Sequence, residues 1–186
     1  MMNILFRLLL TFNATSLLVI IFIVQKGYTL SYFFDTTISQ LSWITVIPNM
    51  TSYFLYVLIP IFFTGISLLL SKRLGKDEFK KGNIISIEYA NNSFLPSYLG
   101  YFFVALSVGS WESLWFVYGI LFIFTFLSQA LYFNPLFLVF GYTFYNVTTI
   151  NGTVIFLISR QKYKTPCDIE ISTAFRINNY TFIERS

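Results

Sequence analysis

Histidine is absent from this chain of 186 residues, cysteine occurs once, as Cys167, and only 11% of the residues are charged. The first absence excludes imidazole acid–base chemistry. Together with the second it excludes a Cys/His zinc site and an intramolecular disulfide. The scarcity of charge excludes a soluble globular domain, in which about 25% of residues are charged. What is present instead is apolar: 56% of residues are hydrophobic and 21% aromatic, with 23 Phe, and the mean hydropathy is +0.69. Such a chain needs lipid as the solvent for most of its length.

Four apolar runs, at about residues 4–24, 53–70, 97–109 and 114–133, read as membrane-crossing helices. A helix rises about 1.5 Å per residue, so roughly 20 residues reach across a hydrocarbon core of about 30 Å. The run at 97–109, opening after Pro96, is the shortest. After the first run, Gln25-Lys26-Gly27-Tyr28 offers no small-residue cleavage site, so the run reads as an uncleaved signal anchor. Pro60, in the middle of the second run, should kink the helix by freeing the carbonyl of Tyr56. Residues 25–49 carry Tyr28, Tyr32, Phe33, Phe34 and Trp43 and should lie along the outer surface; Gly109 to Ser113 reads as a tight outer turn.

Charge orients these runs. Arg7, Lys72, Arg73, Lys76, Lys80, Lys81, Arg160, Lys162, Lys164, Arg176 and Arg185, eleven of the twelve basic residues, fall on one side, and only Lys26 on the other. Lys and Arg near helix ends are retained in the cytoplasm during insertion, which implies that both ends are inside. Trp43, Trp111 and Trp115 then fall at the outer interface, where amphipathic rings settle. The net charge of +4 follows from this topology, and no direct binding of nucleic acid is expected.

The tail changes character. Leu136–Tyr145 and Thr153–Ser159 are too short to cross a bilayer and read as strands, joined through Asn151-Gly152, a hairpin signal of the type I′ kind. A two-residue turn there would put Tyr145, Val147 and Thr149 on one face with Val154, Phe156 and Ile158. Ile84–Tyr89 and the stretch around Tyr180–Ile183 are further strand candidates. The fold class is therefore an α-helical integral membrane protein with four transmembrane helices, N-in/C-in, spanning residues 1–133. A small cytoplasmic β-subdomain forms from residues 134–186 with the inner loop 72–93.

No Asp, Glu, Lys or His lies within the four runs away from the interfaces, and no constellation of ionisable groups converges elsewhere. The chain reads as no enzyme, with no cofactor and no metal. Asp168 and Glu170 are the nearest approach to a carboxylate pair, and strand-edge solubility explains them. Glu112 reads as a solvated interfacial residue, or alternatively as part of a pore mouth. Asn13, Thr15 and Ser16, with Thr11, form a polar stripe suited to hydrogen bonds between helices or, alternatively, to lining a water path. Ala105 and Gly109 make a small-xxx-small pair; Ser128-Gln129 is polar near an inner end. Two basic clusters, Lys72, Arg73, Lys76, Lys80 and Lys81, and Arg160, Lys162 and Lys164, suit either anionic lipid or an acidic surface of a cytosolic partner.

The four runs, the Asn151-Gly152 turn, the basic Ser159-Arg160-Gln161-Lys162 stretch and the ending Arg176-Ile177-Asn178-Asn179-Tyr180-Thr181-Phe182-Ile183-Glu184 together resemble the membrane subunit of the Kiwa anti-phage defence system. The resemblance implies a multi-pass protein of the bacterial inner membrane that senses infection. It also implies a homo-oligomer, expected to be a tetramer, that recruits a cytosolic DNA-binding effector subunit. A pore-forming or membrane-perturbing effector, or a passive membrane scaffold or immunity protein, is the alternative.

Overall fold

The computed structural model describes residues 2–34, 44, 46–128 and 134–185. Its helical part contains α1 (Met2–Gln25), the single turn α2 (Leu30–Phe33), α3 (Asn49–Leu70), α4 (Leu95–Ser107) and α5 (Trp111–Ser128). Three of these, α1, α3 with the turn that follows it, and α5, are long and apolar enough to cross a membrane. The run around 97–109 forms only the 13 residues of α4, about 20 Å of helix, which falls short of the hydrocarbon core on its own. The expected end of the last run, residues 129–133 including Gln129, lies outside the described residues, as do Asp35 and Trp43.

Packing on α1 organises the helices. Asn13 hydrogen-bonds Ser67 and Tyr28 O accepts from Tyr56, so α3 runs against α1. Ala14 O accepts from Tyr98 and Leu106 O from Gln25, so α4 runs with α1. Tyr118 meets Thr15 and Phe126 O accepts from Arg7, so α5 runs back. Every one of α3, α4 and α5 packs on α1, which explains why α1 buries polar as well as apolar residues.

The remainder folds as a mixed six-stranded sheet of β1 (Gly75–Phe79), β2 (Ile84–Tyr89), β3 (Thr143–Thr149), β4 (Val154–Ser159), β5 (Ile171–Arg176) and β6 (Thr181–Glu184), in the order β1-β5-β6-β4-β3-β2. Among the described residues only β4 and β6 pair in parallel. The two edge strands, β1 and β2, are consecutive in sequence and joined by residues 80–83 alone. Five strand spacings would set the edges of a flat sheet about 24 Å apart, whereas so short a link reaches roughly 17 Å at most. The sheet therefore curls. Its concave side encloses Ile84, Val147, Ile155, Leu157, Ile171 and Phe182, with Phe79 and Phe182 meeting edge to face at 5.2 Å. The opposite face, Phe144, Phe156, Ile158, Phe175 and Ile183, packs on Phe6 and Leu10 of α1 and Leu68 of α3. Burial on both faces is why β4 is apolar almost throughout.

Two expectations about the tail are corrected. Leu136–Val139 forms the helical turn α6, so Leu136–Tyr145 is not one strand; the Asn134 carboxamide oxygen accepts from the Leu136 N–H at its start and Gly141 follows its end at φ 76°. An asparagine turn before Pro135 and a left-handed glycine after it bound a helical turn more strongly than β propensity favours extension. The hairpin register is also shifted by one residue. Tyr145 pairs with Leu157 and Val147 with Ile155, not with Ile158 and Phe156. The Thr149 N–H donates to Thr153 O and the Gly152 N–H to Thr149 O, leaving a three-residue loop closed by Gly152 at φ 75°. That is the alternative Gly-containing hairpin geometry, a turn followed by a left-handed residue, and it moves every cross-strand pair by one.

Candidate functional site: a hydrogen-bonded helix seam above a basic sheet

The polar stripe of α1 is buried. Thr11 and Asn13 are fully covered, and Thr15 and Ser16 nearly so. Asn13 Nδ2 donates to Ser67 Oγ at 3.1 Å; Thr15 donates to Thr11 O and lies 3.3 Å from the Tyr118 hydroxyl; Ser16 donates to Asn13 O. Toward the sheet, Asn134 Nδ2 donates to Thr64 Oγ1. Among the described residues Asn13 Oδ1, buried in this seam, has no hydrogen-bond partner. Pro60 is buried within a continuous α3 and, with Ser16, Tyr56 and Tyr118, borders a 240 Å³ cavity where α1, α3 and α5 diverge. Ala105 of α4 is fully buried against Leu18 and Phe22 of α1. Gly109 differs: it lies beyond the end of α4, and a Cβ there would meet nothing within 4 Å, so close approach rests on Ala105 without it.

The two ends of the helices carry opposite chemistry. At the end away from the sheet, Tyr28 stacks on Tyr32 at 4.0 Å and on Trp111 at 5.5 Å, Trp111 stacks on Trp115, and Lys26 sits over Phe22. Glu112 is exposed in the first turn of α5, whose start is capped by Ser110 accepting from the Ser113 N–H. A carboxylate there complements the helix dipole.

At the sheet end the basic residues fall into two tiers. Lys72 and Arg73 occupy the 3-10 turn Ser71–Arg73 directly after α3, where cations complement the C-terminal end of a helix dipole. Arg160 leaves the end of β4 nearest α3, with its guanidinium 4.8 Å over the Tyr142 ring, and Lys162 and Lys164 follow it, exposed. Lys76 is exposed on β1. Lys80 and Lys81 lie at the far end of β1, beside the β3–β4 turn, where Ile150 N–H donates to Asn83 O; Lys80 pairs with Glu78 at 3.2 Å. Between β1 and β4 lie β5 and β6. Arg176 of β5 makes a bidentate pair with Asp77 of β1, which holds its guanidinium above the ordinary range of protonation.

The sheet also contains a polar cluster that sequence reading missed. Glu184 is buried and accepts from Ser159 Oγ and, through both carboxylate oxygens at 2.8 Å, from the Tyr163 hydroxyl. The Tyr145 hydroxyl donates to Gln161 O and accepts from the Tyr163 N–H. Burial, reinforced by Glu184, pushes the Tyr163 phenol well above its ordinary range. The available signal was the alternation Phe182-Ile183-Glu184, which aims a carboxylate at the same interior as Phe182. Of the Asp168 and Glu170 pair, Glu170 is exposed and the Asp168 side chain lies outside the described residues.

Residues 6–183 match the model of a protein family described as anti-phage protein KwaA. No curated protein and no solved structure matches the chain.

Proposed function

The chain belongs to the KwaA family of anti-phage proteins, and from that premise we propose that it is the multi-pass inner-membrane subunit of a bacterial defence complex. In this reading it crosses four times with both ends in the cytoplasm, and it holds a cytosolic DNA-binding effector against its curled sheet. The alternating directions of α1, α3, α4 and α5 support four crossings: α4 is short, yet it accompanies α1 from Ala14 to Gln25, and α5 returns to Arg7. The subunit acts by sensing and recruitment, without catalysis and without touching nucleic acid itself, and it assembles as a homo-oligomer.

The observation that carries recruitment is the far basic tier. Lys80 and Lys81 stand a strand of five residues beyond the end of α3, up to about 16 Å, roughly twice the ~8 Å screening length at physiological salt. With β1 directed away from the bilayer, anionic lipid holds these charges weakly and an acidic protein surface is the better occupant. Pull-down of the co-encoded effector by the Lys80→Glu/Lys81→Glu and Lys162→Glu/Lys164→Glu variants tests this at low and high salt. The expected result is at least about tenfold weaker capture at low salt, with a shallower fall as salt rises than the wild type shows. Capture unchanged at both salts would refute docking on the sheet.

A further inference from the structure

A groove of about 410 Å³ runs along the last three turns of α3, floored by Ile61, Gly65 and Leu69 with Phe140 alongside, and headed by Arg160 and Arg185. Its walls are apolar and its head carries two guanidinium groups. Gly65 keeps the floor open, since even a Cβ there would lie 3.4 Å from the Phe140 ring.

The strand register explains why the arginines coincide. In the parallel pair β4–β6, Phe156 faces Thr181, Leu157 faces Phe182 and Ile158 faces Ile183, a constant offset of 25 residues. Just past these pairs Ser159 hydrogen-bonds Glu184, and the residues that follow them, Arg160 and Arg185, both line the groove. Two cations at the head of one groove repel each other unless something neutralises them. Among the described residues neither arginine forms an ion pair, and Glu184, the nearest carboxylate in sequence, is committed to Ser159 and Tyr163. Arg185 donates to Leu68 O at the end of α3, which uses one of its five N–H groups. Arg160 rests on Tyr142 and is otherwise exposed.

We propose that this groove is a binding site for one anionic phospholipid, its phosphate bridged by Arg160 and Arg185 and one acyl chain lying along α3 from Leu69 to Ile61. The charge is complementary to a phosphate, and guanidinium forks suit its oxygens. The position fits as well: the arginines stand at the last turn of a helix long enough to cross, the depth of a headgroup. A free phosphate would leave the apolar groove unused. The site rests on the membrane-crossing reading above, and it fixes the curled sheet to the bilayer surface at the ends of its central strands, β4 and β6.

The test is native mass spectrometry of the full chain, delipidated in detergent and titrated with phosphatidylglycerol or phosphatidylcholine. The wild type should retain one phosphatidylglycerol per chain in preference to phosphatidylcholine, and millimolar inorganic phosphate should not displace it. Arg160→Gln/Arg185→Gln should weaken phosphatidylglycerol binding by roughly 10- to 30-fold, as expected for two interfacial cations, while Lys162→Gln/Lys164→Gln, which removes equal charge outside the groove, should stay within about threefold. If the double arginine variant does not fold, Arg160→Gln alone, lacking only an exposed stacking contact, should still lose at least about threefold. Equal binding of both lipids by the wild type, an equal loss in both double variants, an unchanged Arg160→Gln variant or displacement by phosphate would overturn the site. Release of the chain from membranes by alkaline carbonate would instead refute the membrane reading itself.

Discussion

At the scale of single residues, the buried Glu184 cluster is where the sheet has most to lose. A carboxylate taken out of water needs hydrogen bonds in proportion to its lost hydration, and Ser159 and Tyr163 supply them. Ser159→Ala or Tyr163→Phe should each cost about 1.5–3 kcal/mol, the range for hydrogen bonds to a charged group, read as a lower Tm in detergent. Glu184→Gln keeps an acceptor for the same donors and should cost less than either. The raised phenol of Tyr163 adds a pH signature: a group whose folded pKa lies above its unfolded value stabilises fully below the unfolded pKa, about 10 for tyrosine, and ceases to do so as pH rises through the folded value. Stability should therefore decline above about pH 10, and Tyr163→Phe should flatten that decline in a Tm series. In the helices, Asn13→Leu should cost only about 0.6 kcal/mol, near the mean for hydrogen bonds between membrane helices, because it removes the bond to Ser67 and the unpartnered Oδ1 together. Thermal unfolding of this variant, read beside Ser67→Ala, checks it.

At the scale of elements, Gly152 sets the sheet's register. Its φ of 75° is a left-handed conformation that costs other residues roughly 1–2 kcal/mol, so Gly152→Ala should lower stability by about that amount while Asn151→Ala does much less, as thermal unfolding of the two variants would report. This is also where sequence legibility ended. The dipeptide announced a hairpin, but a two-residue and a three-residue loop share the same letters, and choosing between them depends on which face of β3 meets the curled interior. The long apolar helices α1, α3 and α5 and the β-branched strands β2 and β4 were legible because hydropathy and strand pattern are local properties. β1 was not: Gly75-Lys76-Asp77-Glu78-Phe79 has three charges in five residues and becomes a strand only through pairing with β5 and the Asp77–Arg176 bridge. The meeting of Arg160 and Arg185 at one groove was likewise hidden, since it depends on a parallel register between segments 25 residues apart.

At the scale of the whole molecule, the helices and the sheet are one arrangement of charge. The up-and-down order about α1 gathers Arg7, the β1–β2 segment and the whole tail at one end, and leaves Lys26 with the Tyr28–Trp111 stack at the other. If the positive end faces the cytoplasm, the curled sheet is displayed where an effector can reach it and the aromatic stack lies in the outer headgroup layer. Recruitment, the lipid groove and the basic tiers all depend on that orientation. It is tested most directly by paired reporter fusions in the living bacterium, with green fluorescent protein and alkaline phosphatase each placed after Ser186 and within residues 27–42. Fluorescence without phosphatase activity after Ser186, and phosphatase activity within 27–42, is the expected result; phosphatase activity from the fusion after Ser186 would contradict the account.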